Sequence, residues 1–236
     1  ISVDSALAML SNESVRLWID LQIDDIAALS DHRAHFIGHP LAWEDAARVD
    51  QRPKIEDHGD HFFLIARSLD TSHDWLGMQL ETIQMSCFLS ERHLITIRAG
   101  AIHGVDQIIR RLEHGAIRPH SYPDGVLYAL LDTVVGAYVP HVDRWEEEVE
   151  RLDQQALSHP HTNVLARVLA IRKHVVKLRR LAATQAEILA ELSRSRDDLV
   201  RSQTKPYFKD VHDHLVSVRE ATDALRDSVA IAVDIY

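Results

Sequence analysis

The rhythm of apolar and polar positions changes near residue 120. Before that point, short stretches rich in β-branched and aromatic residues read as strands: "VRLWIDLQ" (15–22), "HFFLIARSL" (61–69), "QLETIQMSCFL" (79–89) and "HLITIRA" (93–99). The last two are joined through Ser90, Glu91 and Arg92, which predicts a hairpin. Helical spacing marks 25–37 and 104–114, and "LAWEDAARV" (41–49) predicts a short helix after the break at His39-Pro40. Beyond Pro123 no strand pattern returns. Residues 126–158 read as helix with a kink at Pro140 and turn acidic, with six acids and two bases over 143–153. The next helix, about 164–193, is basic on one side through Arg167, Arg172, Lys173, Lys177, Arg179 and Arg180. Opposite charge on consecutive helices predicts an antiparallel pair.

The last thirty residues carry the clearest pattern. Phe208, Val211, Leu215, Val218, Thr222, Leu225, Val229, Ala232 and Tyr236 are spaced alternately by three and four, an a/d seam. Thr204 can cap the start and Pro206 is tolerated in the first turn, but no Gly, Asn or Pro follows the far end. The pattern predicts one helix over 205–236, about 45 Å long at 1.5 Å per residue. It is expected to be the longest helix in the chain and to project past the body, and the chain itself is expected to be a piece of a longer protein. Along the opposite edge Asp213, Glu220, Asp227 and Asp234 recur every seven residues, with Asp210 one turn before Asp213. Such an edge is ordinarily a solvated face. If several copies pack side by side, each carboxylate instead becomes a ring, the arrangement by which cation pathways hold ions.

Composition narrows the choice. With 26 Lys and Arg against 36 Asp and Glu the net charge is −10, which argues against nucleic acid and for cationic partners. The single cysteine, Cys87, excludes an internal disulfide framework. The nearest approach to a membrane span, 126–139, is interrupted by Asp132. No Gly-rich phosphate loop, Ser/His/Asp arrangement or reactive cysteine context is present, so an enzyme is not expected. Sixteen histidines raise a transition-metal reading, through His32, His35 and His39, His212 with His214, and His159 with His161. Against it, His212 and His214 diverge on a helix and His159-Pro160-His161 reads as a turn. A helical phosphohydrolase using His73-Asp74 and Asp213-His214 would not begin with a hundred residues rich in strands.

"PYFKDVHDH" (206–214) followed by "DALRDSVAIAVDIY" (223–236) resembles the stalk helix of the CorA family of divalent cation transporters where it approaches the membrane. "WIDL" (18–21), "HPLAWED" (39–45), "QRPKIE" (51–56) and the strand pair around "CFLSERHLITI" resemble the family's cytoplasmic domain in order. The family's Gly-Met-Asn loop, after its first membrane helix, would lie beyond Tyr236. The resemblance implies a homopentamer on the cytoplasmic side of the inner membrane, joined to it by C-terminal spans. It further implies regulatory Mg2+ bridging Asp45, with Glu44 beside it, to Asp210 and Asp213 of the next subunit. Asp234 would form an acidic ring at the pore mouth. At Gly136 and Ala137, where some relatives carry an acid, this chain has none, so a second interfacial metal site is not expected.

The fold these readings lead to is α+β: an N-terminal α/β/α sandwich on a mixed sheet, then long antiparallel helices and a long stalk helix. The expected divisions are a head over 1–120, a helical arm over 121–204 and the stalk over 205–236. Mg2+ is the expected ion, with Co2+, Ni2+ and Zn2+ left open. A Zn2+-transporting relative and a soluble coiled-coil scaffold are the alternatives.

Overall fold

The structure, a computed structural model, describes residues 8, 9, 12, 14–27, 36–71, 80–114, 122–158, 162–195 and 198–234. Five strands form one mixed sheet: β1 (Leu17–Gln22), β2 (Lys54–Asp57), β3 (His61–Leu69), β4 (Thr82–Ser90) and β5 (His93–Arg98). Their order is β1-β5-β4-β3-β2. β1 runs parallel to β5, and every other neighbouring pair is antiparallel. β3 and β4 are buried on both faces, which is why they read as near-continuous apolar runs. Phe62, Leu64 and Ala66 enter the apolar cluster on one face, and Phe63 and Ile65 enter that on the other. The predicted hairpin joins β4 to β5, where the backbone N–H of His93 donates to Ser90 Oγ at 3.1 Å. β2 escaped the sequence reading because its four residues include one aliphatic side chain, Ile55, and it pairs on one side only, following Pro53.

One face of the sheet is covered by α1 (Pro40–Ala46) and a 3-10 turn at Ile23–Ile26. His39 caps α1 by accepting from the Leu41 N–H at 3.2 Å, and Pro40 takes the first helical position, where its missing N–H costs nothing. Trp43 stacks on Phe88 at 4.6 Å between ring centroids and fixes the helix on the sheet. Gly38, at φ 131, is required there: a Cβ would lie 2.6 Å from Trp43 Nε1. α1 stops at Ala46, short of residue 49, because Gln84 of β4 holds the following backbone: its Nε2 donates to Arg48 O at 2.6 Å, and its Oε1 accepts from Gln51 N at 3.1 Å. The helix expected over 25–37 is replaced at its start by the 3-10 turn, and its middle, with His32 and His35, lies outside the described residues.

Among the described residues the other face carries five helices: α2 (Val105–Glu113), α3 (Pro123–Gly136), α4 (Val139–Ser158), α5 (Thr162–Arg194) and α6 (Lys205–Asp234). α3 lies on the sheet, and the chain breaks between α3 and α4 at Ala137 and Tyr138 rather than at Pro140, which falls in the first turn of α4. By length and composition the run Pro123–Gln155 could cross a membrane, but 56% of its most apolar window is buried against the rest of the molecule, so it is a core element.

α5 and α6 form a long antiparallel hairpin. Every described residue of the α6 seam, from Phe208 to Ala232, is buried. The facing stripe on α5, which the sequence reading passed over, has the same heptad spacing: Val164, Val168, Ile171, Val175, Leu178, Ala182, Gln185, Leu189 and Leu192. α5, at 33 residues, exceeds the 30 of α6, so the stalk is not the longest helix. Charge links α4 and α5 as expected, with Arg167 reaching Glu148 at 2.5 Å, and it also links α5 to α6, a pair the charge pattern did not single out, with Arg179 reaching Asp223 at 2.5 Å. The base of the hairpin is tied to α3, where the buried carboxylate of Asp124 accepts from the Arg201 guanidinium at 3.0 Å while that cation lies over the Tyr122 ring. Sheet and helices share one apolar cluster across the division expected at residue 120.

Candidate metal centre

Asp45 sits in the last turn of α1, half-buried, and α1 delivers it to the edge of β2. Its Oδ2 accepts from Lys54 Nζ at 2.6 Å, and the same ammonium donates to Glu56 Oε1 at 2.6 Å. Burial works against the charge of Lys54, but the two carboxylates outweigh it and hold its pKa above the ordinary lysine value. Glu44 beside Asp45 is exposed. Sequence reasoning missed Lys54 because the contact crosses from a helix to a strand that carried no strand signal. Also missed was the column of His39, His58 and His61, whose rings stack at 5.7 and 4.8 Å beside this corner.

Asp210 and Asp213 lie one turn apart near the start of α6, with side chains 64% and 62% exposed. Among the described residues their ion-pair partners are histidines alone: His214 Nε2 is 3.9 Å from Asp210, and His212 Nδ1 is 3.1 Å from Asp213. Glu220 and Asp227 continue the exposed edge, and Asp227 is met by Arg226 at 2.9 Å. The backbone of α6 reaches Asp234, whose side chain lies outside the described residues, as do His159, His161, His73 and Asp74.

The structure brings Glu44 together with Asp45, and Asp210 with Asp213, but on separate elements. α1 belongs to the apolar cluster on one face of the sheet and α6 to that on the other. Among the described residues no group of three or more His, Cys, Asp or Glu side chains is gathered to hold a metal. Within one chain, then, the Asp210 and Asp213 pair offers two exposed carboxylates, and the other pair offers exposed Glu44 and half-buried, Lys54-paired Asp45. That donor set suits a hard, hydrated cation such as Mg2+, which takes one or two carboxylates and keeps several waters.

The architecture, a mixed five-stranded sheet followed by long helices, is that of the soluble domains of CorA-type proteins. The soluble domain of CorA from Methanocaldococcus jannaschii superposes with a TM-score of 0.77 over 92% of this chain and 86% of that one, at 17% identity. The ZntB cytoplasmic domain from Vibrio parahaemolyticus does so with 0.74 over 92% and 84%, at 16% identity. Residues 13–236 match the family described as CorA-like Mg2+ transporter protein, and the chain belongs to that family, one of transporters and not of enzymes. It is 27% identical over 228 residues to the cobalt/magnesium transport protein CorA of Thermotoga maritima, covering 95% of this chain and 64% of that protein.

Proposed function

We propose that this chain is the cytoplasmic ion-sensing and gating part of a divalent cation transporter, assembled as a homopentamer at the inner membrane, with α6 leading into the membrane-spanning segments. Mg2+ is the ion sensed, and Mg2+ or Co2+ the ion carried. The observation that supports this most is the exposed pair Asp210 and Asp213, carboxylates without a Lys or Arg partner among the described residues. A relative over nearly the whole chain is named as a cobalt/magnesium transport protein, which gives the class of ion.

In this reading Mg2+ bridges Asp45 and Glu44 of one subunit to Asp210 and Asp213 of the next. Lys54 engages Oδ2 of Asp45, which leaves Oδ1 for the ion or one of its waters. When the ion is plentiful it screens the carboxylates and favours the closed assembly. When it is scarce the acids repel and the subunits separate. Asp234 of each copy contributes to a ring that draws cations to the pore. A coupling of about 1–3 kcal/mol is typical of such linkage, so several equivalent weak sites acting together give a sharp response.

Reconstituting the full-length protein in vesicles and following Mg2+ and Co2+ entry with an indicator dye tests this. Entry that falls as Mg2+ is raised on the side of this domain is expected. Absence of divalent cation entry under all conditions would overturn it.

A further inference from the structure

A cleft of ≈350 Å3 opens on the side of the molecule where α5 crosses the β2 edge of the sheet, lined by Arg52, Arg67, Thr82, Lys177, Arg180 and Leu181. Ligand pockets span about 300–1,000 Å3, so it is sized for one small molecule. Among the described residues its walls hold four cationic side chains and one carboxylate, Asp50, which pairs with Arg48 at 3.4 Å. Glu81, exposed, is the acid acting on Lys177. In a chain of net charge −10, a concavity with this balance is an anomaly that needs a reason.

The central cation is Arg67. Its Nε donates to Thr82 Oγ1 at 2.9 Å, Nη1 to Gln51 O at 2.6 Å and Nη2 to Val49 O at 3.0 Å. All three acceptors are neutral, so the guanidinium is fixed in place without a hydrogen-bonded carboxylate; Asp50 acts on its charge through space alone, and among the described residues two of its five N–H donors are left over. Lys177 likewise donates to a neutral acceptor, Leu80 O, and among the described residues two of its three donors remain. Desolvation, and then the charge of Arg67, lower its pKa, as expected for cations held close together. The site is rigid from beneath: the Arg67 backbone N–H donates to Gln185 Oε1 at 2.8 Å, its carbonyl accepts from the Tyr138 hydroxyl, and Gln185 Nε2 donates to that hydroxyl. Leu181 and Pro53 supply an apolar wall.

We infer that this cleft binds a phosphate group, carried by inorganic phosphate or by a nucleotide, between the Arg67 fork and the Lys177 and Arg180 cations. A planar fork with free N–H donors beside point charges is the donor set that recognises phosphate oxygens. Bound there, the anion ties α5 to β3 and β4, and so acts on the helix that carries α6.

Calorimetric titration of the chain in Mg2+-free buffer with inorganic phosphate, AMP and ATP, at ionic strength matched with sodium chloride, tests this. Saturable binding of at least one ligand is expected. Lys177→Gln and Arg180→Gln should each weaken it about tenfold, the scale of one lost charge-assisted hydrogen bond. Arg110→Gln, on the exposed side of α2, should leave it unchanged. Because Arg67 also braces the loop before β2, Arg67→Lys, which keeps the charge and removes the fork, is read only beside the two exposed α5 variants. Phosphate binding equal to that of AMP and ATP assigns the free anion, and tighter AMP or ATP binding assigns a nucleotide; both support the inference. No saturable binding by any of the three, or binding indifferent to Lys177→Gln and Arg180→Gln, overturns it.

Discussion

Asp45, in the last turn of α1, shares the ammonium of Lys54 with Glu56 at 2.6 Å, whereas Asp210, near the start of α6, has only His214 at 3.9 Å among the described residues. The first carboxylate is balanced within its own chain and half-buried; the second is exposed. A cation arriving at Asp45 competes with Lys54 for a charge already matched, while at Asp210 and Asp213 it relieves repulsion between two acids one turn apart. In the proposed intersubunit site, the α6 edge would therefore be the more available half and the α1 corner the half set by Lys54. The same contrast runs across α6 itself. Its seam is filled by α5, so the buried apolar face needs no other copy, and the acidic edge is left exposed.

The seam and the edge should respond to mutation very differently. Leu215→Ala, at a fully buried seam position, is expected to destabilise the chain by about 2–5 kcal/mol in urea unfolding, through lost burial and the cavity left against the hairpin. A smaller effect is expected from pH. The pKa of His141 in α4 is lowered from 6.5 to about 4, first by desolvation and second by the charge of Arg144. The unfolded chain then binds the proton more readily, so stability is full above about pH 6.5 and falls as pH drops towards 4. Urea midpoints across that range should show this slope, and His141→Gln should flatten it. Lys54→Gln removes the competing cation from Asp45 and should tighten Mg2+ binding to the full-length protein about tenfold or less in a competition titration with a Mg2+ dye. The smallest effect is expected for Asp213→Asn, within about 0.5 kcal/mol of wild type in the same urea measurement, since an exposed charge away from buried features contributes little.

Much of this was legible in the chain. The α6 seam could be read residue by residue because heptad spacing reports burial directly, and β3 and β5 were placed within one residue because β-branched and aromatic runs bounded by turn residues mark buried strands. The matching seam on α5 has the same spacing, but basic residues on its outer side drew attention to charge. β2 was unreadable because an edge strand of Lys-Ile-Glu-Asp owes its conformation to pairing with β3 rather than to its own pattern. Spacing along the helix edge singled out Asp210, Asp213 and Asp234, but Asp45, Glu44 and a metal site shared between them came only from resemblance to CorA-type sequences. Lys54 as the partner of Asp45 depends on how the nine-residue step from α1 to β2 folds, and the cationic cleft around Arg67 on contacts between distant segments, and one sequence carries no signal for either.

The central claim is that one Mg2+ is shared between Asp45 of one subunit and Asp210 of the next. The direct test is Mg2+-dependent protection of the full-length protein from limited proteolysis, compared among wild type, Asp45→Asn and Asp210→Asn. Protection that rises with Mg2+ in the wild type and needs more Mg2+ in both variants is the predicted result. Unchanged Mg2+ dependence in both variants would contradict the account and leave the α6 edge an ordinary solvated face.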